Sequence, residues 1–240
     1  MMAVPRIFSL ASIPERFDNL HHIVPKILIQ ADVLHLHWVG YSEVPKLAWD
    51  SPKIIHHTWE KAGSEIRFFP YAQYPKAYFF PVDDDIDYPA NYAETMICFM
   101  QQWNHRAVCC VHANNHKPFQ QRDFYTQNRR VIHFAQALST PRRVYIPGCG
   151  TTCFYTPHVQ LNMSSFTQSN MSDVIVACQL AKQQIPVVAI PRKQNWLKGL
   201  NEFNRRIFGH NPHPHIDTLL HQHRFHFALN RIRFYWQFKF

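Results

Sequence analysis

Asp83, Asp84, Asp85 and Asp87 place four carboxylates within five residues, directly after the aromatic and apolar run 77–82. Carboxylates this close repel one another, so a fold that keeps them supplies a cation, basic partners or solvent. In open α/β sheets ligands bind beyond the carboxyl ends of strands, and a strand over 77–82 ends at this cluster. An acidic surface turn or helix start is the competing reading, because Asp is favoured there without any ligand. If a metal binds, hard oxygen ligands and the lack of well-spaced thiolates select Mg2+ or Mn2+ over zinc. Such ions usually bridge phosphates. The chain has no G-x-x-x-x-G-K-S/T loop and no G-x-G-x-x-G, and Gly148-x-Gly150 alone is too short to replace them. P-loop and dinucleotide-binding chemistry is therefore disfavoured. What remains is metal-dependent transfer from a nucleotide or other diphosphate donor, bound without a Gly-rich cradle.

Other reactive residue types carry weaker signals. The six Cys form no C-x-x-C pair, and Cys109 and Cys110 are adjacent in a strand-like run where a disulfide would be strained, so reduced core thiols are expected. Cys149, Cys153 and His158 make a poor metal clip, since zinc sites usually show a second, cleaner ligand pair. His210, His213, His215, His221, His223 and His226 look like a metal tract by composition and read here as surface residues. From Arg192 to the end there are nine Lys and Arg against Glu202 and Asp217, so most of the net charge of +9 lies in that segment. Its cations alternate with Phe203, Phe225, Phe234, Tyr235 and Trp236. Such a tail suits an anionic membrane surface or a lipid-diphosphate acceptor, or covers a sheet edge with only its outside basic. Nucleic-acid binding through the same basic aromatic tail is the non-enzymatic alternative.

The positioning elements follow from periodicity. With 240 residues, 46% hydrophobic and 15% aromatic, the chain can bury a substantial core, and collagen-like or disordered classes are excluded. No apolar run reaches the roughly 18 residues of a spanning helix, and the N-terminus lacks a secretory cleavage pattern, so a cytoplasmic protein is expected. Strands are expected at 7–11, 32–39, 53–57, 77–82, 107–112, 144–146, 153–155 and 186–190, and helices at 15–30, 90–103 and 173–183, the last capped by Ser172. Pro25 is expected to kink the first helix or to mark a turn near its middle. A polar loop is expected over 113–128. This order predicts an α/β protein, a mainly parallel mixed sheet flanked by helices. A boundary is expected near 191, with residues 1–191 as the body and 192–240 as a basic aromatic extension, packed on the domain.

The residues Ala11-Ser12-Ile13-Pro14-Glu15-Arg16, then Phe79-Phe80-Pro81-Val82-Asp83-Asp84-Asp85-Ile86 with Tyr88-Pro89 and Tyr92, resemble bacterial glycosyltransferases of the GT-A, family-2-like type. Further matches follow in order: Val111-His112 at a strand end, Gly148-Cys149-Gly150-Thr151 beside that group's Gly-Thr-Gly-Thr turn, Asn170-Met171-Ser172-Asp173 beside its Met-x-Asp helix start, and Ile185-Pro186-Val187 with Arg192 and Asn195-Trp196-Leu197. The resemblance spans about residues 6 to 197. Cys149 departs from it, as does Ile66-Arg67-Phe68 where relatives tend to have Gly-Lys-Phe. It implies a GT-A fold, a nucleotide-sugar donor, a Mn2+ or Mg2+ ion, and inverting transfer of a sugar to a glycan or lipid-linked acceptor hydroxyl, with no nucleic acid as partner. Close relatives belong to capsule and lipopolysaccharide clusters.

On that resemblance Asp83-x-Asp85 is the D-x-D motif, whose two carboxylates reach one cation while the side chain between points away. Asp85 is the main metal ligand, Asp83 reaches the ribose or the metal's water shell, and Asp84 the donor sugar. Asp87 lies beyond the motif as a helix-start acid. Inverting transfer needs a base opposite the leaving group. Asp173 is the candidate: it is the sole acid between Asp123 and Glu202 and begins a helix. An ordinary helix-start Asp is the alternative there. Arg16 and Arg67 suit the nucleotide or diphosphate, and Ser12 to Pro14 lie by the base. His112 is a metal or acceptor contact or a structural residue, and Trp196 stacks on a sugar or packs in the core. The rival enzyme reading is nucleotidyl or sugar-phosphate transfer by the same acids.

Overall fold

The structure, a computed structural model, describes residues 3–116, 124, 129–200 and 215–237, the stretch 231–237 by backbone alone. In chain order its elements are β1 (Arg6–Ser12), α1 (Phe17–Leu28), β2 (Val33–Val39), β3 (Ile54–Trp59), β4 (Tyr78–Val82), β5 (Ile86–Asp87), α2 (Tyr92–Gln102), β6 (Val108–Cys110), β7 (Ala113–Asn115), β8 (Arg130–Ile132), β9 (Arg142–Val144), β10 (Ile146–Pro147), β11 (Thr152–Tyr155), α3 (Ser172–Lys182), β12 (Val187–Ala189), β13 (Lys198–Gly199), α4 (His215–Gln222) and α5 (Arg224–Gln237). Eight strands form one sheet in the order β3-β2-β1-β4-β11-β6-β12-β9. The strands β1 to β4 run parallel, β11 runs antiparallel between β4 and β6, and β9 closes the edge antiparallel to β12. The protein is thus α/β with a large mixed sheet flanked by helices, compatible with a Rossmann-like arrangement.

Side chains of a strand point alternately to opposite faces, and β4 uses both. Phe80 joins Phe8, Leu10, Leu34 and Leu36 in the core under α1 and α2, while Phe79 joins Ile7, Phe68, Val108 and Val176 on the other face. Strands buried on both faces read as continuous apolar runs, which is why β1, β2 and β4 are legible in sequence. Phe8 lies opposite Phe80 in the β1–β4 register, and their rings stack at 4.6 Å. Each such fully buried side chain contributes roughly 1.5–3 kcal/mol.

Several expectations are corrected. The first helix divides: Pro14–Arg16 forms a 3-10 turn and α1 begins at Phe17, because Pro supplies the fixed φ of a first turn. Ser172 does not cap α3. Met171 occupies that position without a side-chain cap, and Ser172 Oγ instead pairs with Ser64 Oγ at 3.1 Å. The expected loop over 113–128 begins as a strand: β7 pairs with β10 and β8 in a small second sheet, and Asn115 Oδ1 accepts from the Tyr145 backbone N–H at 2.9 Å. The rest of that expected loop lies outside the described residues, apart from His116 and Phe124.

The described residues after β12 stay on the body. Leu197 is fully buried in the main core, β13 pairs with β5, and the Leu200 N–H donates to the Asp85 carbonyl at 2.9 Å. Ile216, Leu220 and Phe227 of α4 and α5 pack with Ile146, Val174, Cys178 and Ala181. Among the described residues no helix is long and apolar enough to cross a membrane. His210, His213 and Phe203 lie outside the described residues, as does Lys239.

Candidate active site

From β1 the chain returns through α1 to β2 on one side, whereas from β4 it passes through α2 to β6 on the other. Neighbouring strands whose connections diverge leave a crevice at their carboxyl ends. The acidic run leaves β4 at that crevice, and the loop after β1 faces it. Pro14 starts the 3-10 turn that brings Arg16 over the acids, where its Nη1 lies 2.7 Å from Asp84 Oδ1 and 3.0 Å from Asp85 Oδ2. From α1, Asn19 Nδ2 donates to the Asp84 carbonyl at 2.9 Å. Ser12 is buried at the end of β1 and supports the Asp84 carboxylate.

The opposite wall comes from the 3-10 turn Ser64–Phe68. Arg67 is buried there, and its Nη1 forms an ion pair with Asp83 while also donating to the Val82 carbonyl at 3.3 Å. Its Nε donates to the Ser64 carbonyl at 2.9 Å, and the turn is tied to the start of α3 by the Ser64 N–H donating to Asn170 Oδ1 at 3.0 Å. Tyr88 folds back beneath the acids: its hydroxyl accepts from the Asp83 N–H at 2.8 Å and donates to the Gly150 carbonyl at 2.5 Å. A side chain at Gly150 would run into the Asp83 carboxylate, so glycine is what allows the close approach. Asp173, at the start of α3, accepts from the Cys149 N–H at 2.8 Å.

Arg16, Arg67, Asp83, Asp84, Asp85 and Asp173 therefore share one crevice, with Ser12 and Pro14 at its edge. Four carboxylates share two guanidinium groups, which leaves a negative excess when all are ionised. The excess shows in the titration of its members. Burial and then the neighbouring Asp83 charge push the Asp85 carboxyl up to about 7, against the pull of Arg16. Burial also raises Asp84 and Asp173, the latter opposed by the Cys149 N–H and by Arg67. For Arg67, burial works against the charge, but Asp83 outweighs it with help from Cys149 and Asp173 and holds the guanidinium protonated.

Among the described residues no group of three or more His, Cys, Asp and Glu side chains is placed to enclose a metal ion. The donor set fits a different kind of site. Asp83 and Asp85 each engage an arginine through one oxygen, and a magnesium-like ion is commonly held by one or two carboxylates with water and substrate phosphates completing the shell. A carboxylate pair with a second oxygen on each side chain beyond its arginine suits that arrangement.

Other expected residues lie elsewhere. Asp87 turns away to Lys26 at 2.6 Å and His22 at 3.3 Å. Trp196 packs against the main core with its ring 5.8 Å from Tyr92 rather than opening on the crevice. Cys153 Sγ contacts Met100 Sδ at 3.5 Å and His158 Nδ1 lies 3.0 Å from the His105 carbonyl oxygen, so with Cys149 beside Asp173 the three do not converge. His112 packs under the turn, where a Cβ at Gly148 would lie 2.8 Å from its ring, and its buried Nδ1 lacks a partner. Burial, then His133 and Arg129, lower its pKa to about 4, so it is neutral. Tyr88 and Asn19 had no assigned role in the sequence. Nothing in spacing shows that a tyrosine five residues after Asp83 reaches back to its backbone.

No protein-family model matches the chain, and no curated protein sequence matches it significantly.

Proposed function

We propose that this crevice transfers a sugar from a nucleotide-sugar donor to an acceptor hydroxyl, with a Mn2+ or Mg2+ ion, on a GT-A-like sheet. The observation that carries the reading is the meeting of Asp83, Asp85 and Asp173 around buried Arg67 at the divergence of β1 and β4. Asp83 and Asp85 would hold the ion, which would supply Lewis-acid neutralisation of the departing nucleoside diphosphate.

The chain's own residues do the rest. Ser12, Pro14 and Arg16 form the donor side of the crevice, where the Arg16 guanidinium suits phosphate geometry. Arg67 holds the Asp83 carboxylate in one orientation. Asp84, buried and tied to Arg16, fixes the loop and reaches toward the donor sugar. Asp173 takes the acceptor proton as its oxygen attacks. Burial raises its carboxyl, which makes it a stronger general base, while the Cys149 N–H and thiol hold the carboxylate in place. The resemblance to capsule and lipopolysaccharide enzymes points to a surface-glycan acceptor.

The test is a thermal-shift screen of nucleotide sugars with and without Mn2+, followed by product analysis. A ligand that binds only the folded state raises its melting temperature, so the expected result is a metal-dependent shift with one donor class. Release of nucleoside diphosphate supports glycosyl transfer; release of nucleoside monophosphate assigns the same acids to nucleotidyl or sugar-phosphate transfer. Asp85→Asn should abolish metal-supported donor turnover. Asp173→Asn should keep donor binding and lose transfer, and normal transfer by that variant removes it as the base.

A further inference from the structure

Two large apolar side chains stand exposed one helical turn apart on α5: Phe225 at 59% and Leu229 at 51%. The helix is fixed by its other side, which prevents it from rolling to hide them. Phe227 is buried with its ring 4.9 Å from His116 and 5.8 Å from Tyr145, and Asn230 Nδ2 donates to the Ile185 carbonyl at 2.9 Å. In sequence the charge of this segment is mainly positive. The sequence of α5 contains Arg224, Arg231 and Arg233 and no acid, and Lys182 is exposed at the end of α3, on which α5 packs. On α4, Asp217 is exposed and accepts from the Phe124 N–H at 2.9 Å.

We propose that α5 docks on an anionic lipid bilayer, with Phe225 and Leu229 entering the boundary between headgroups and acyl chains and the surrounding cations meeting lipid phosphates. A helix with an apolar stripe flanked by cations binds in the plane of such an interface, and each basic residue near it adds to the attraction. A single-stranded nucleic acid would meet the same charge, but it is held by stacking on aromatic faces, and Leu229 offers none. A bilayer accepts leucine and phenylalanine alike. In sequence, Phe234, Tyr235 and Trp236 extend the segment with residue types favoured at membrane interfaces. The inference goes beyond the glycosyl-transfer reading and gives it a setting, a surface on which a lipid-linked acceptor is presented.

The test is flotation of the full chain with vesicles of phosphatidylcholine alone or mixed equally with phosphatidylglycerol, without donor, so that this result and the donor screen succeed or fail separately. The protein is expected to float with the anionic vesicles alone and to be released severalfold as salt rises toward 0.5 M, because counter-ions screen the attraction. Phe225→Glu with Leu229→Glu should cut the bound fraction at least about tenfold while leaving the protein folded, since both side chains are more than half exposed. If that double variant fails to fold, Leu229→Gln alone should still lower binding measurably. Equal binding to neutral vesicles, undiminished binding by the folded variants, or tighter salt-sensitive binding to a single-stranded oligonucleotide overturns the proposal.

Discussion

Asp83→Asn isolates the electrostatic design of the crevice. Arg67 is 5% exposed at its side chain and Asp83 36%, so the guanidinium is shielded from water while its partner is partly hydrated. Its remaining contacts are the carbonyls of Ser64 and Val82. Removing one member of a fully buried pair costs about 3–5 kcal/mol, because the other charge stays behind without compensation. Water at Asp83 screens part of that, and about 2–3 kcal/mol is expected here. Relief of repulsion toward Asp85 offsets little, since a carboxyl held at about 7 is already half-protonated near neutrality. In a chain of this size the loss corresponds to a fall of roughly 4–12 °C in melting temperature. Urea unfolding followed by circular dichroism at pH 7 reads it, with Arg67→Met made alone and in combination. The double variant should be no less stable than Asp83→Asn, because the stranded charge has been removed. An Asp83→Asn protein within about 0.5 kcal/mol of the parent, or strictly additive losses, would refute the reasoning.

Further outcomes follow from the same geometry. Gly150→Ala should leave the chain folded yet displace the Asp83 carboxylate from Arg67, seen as lost metal-dependent donor binding; unchanged binding means the turn yields instead. Tyr88→Phe strands the Asp83 N–H and the Gly150 carbonyl, at about 1–3 kcal/mol in urea unfolding, and should speed hydrogen exchange of the Asp83 amide. His35 and His37 are buried on β2, where burial and then His57 lower their pKa values to about 4 and about 3. Neutral in the folded state and titrating near 6.5 when unfolded, they contribute stability that is complete above pH 6.5 and lost as pH falls toward 4 and 3. Each should cost about 2 kcal/mol between pH 6.5 and 5, and His37→Gln should flatten that slope in urea midpoints. An unchanged slope in that variant removes His37 from the account.

Much of this was legible in the sequence, and the reasons differ by element. Strands β1, β2 and β4 are buried on both faces and therefore announce themselves as apolar runs, and α1 repeats Leu20, Ile23, Val24 and Ile27 at helical spacing. The short edge strand β8 carries an arginine and too few residues to show a period, and the strand expected over 144–146 divides between the end of β9 and the start of β10. The roles of Tyr88, Gly150 and Asn19 come from contacts with residues distant in the chain, 62 positions apart for Tyr88 and Gly150, which no local pattern records. Arg67 was legible as a cation near the donor, but its burial was not: one arginine in a short turn looks the same whether it faces water or a carboxylate.

The acidic run itself had two readings, a solvated turn and a ligand-holding cluster, and they differ in burial. A solvated turn spreads its carboxylates into water, where repulsion is weak and pKa values stay ordinary. Asp84 is instead 4% exposed and Asp85 13% at its side chain, and burial raises both carboxyls, whereas Lys26 and His22 lower that of Asp87. Burying like charges costs free energy that a fold without need of them would avoid by substituting Asn or Ser. Two arginines compensate part of it. The remainder is the charge that a divalent cation with a diphosphate would adjust, and it is the reason the donor and metal should bind together rather than separately: the ion alone meets two carboxylates and water, and the diphosphate alone meets their repulsion. Donor titrations without metal should therefore show at least about tenfold weaker binding than with Mn2+ present, and equal affinities in the two conditions would return the acidic run to a structural role.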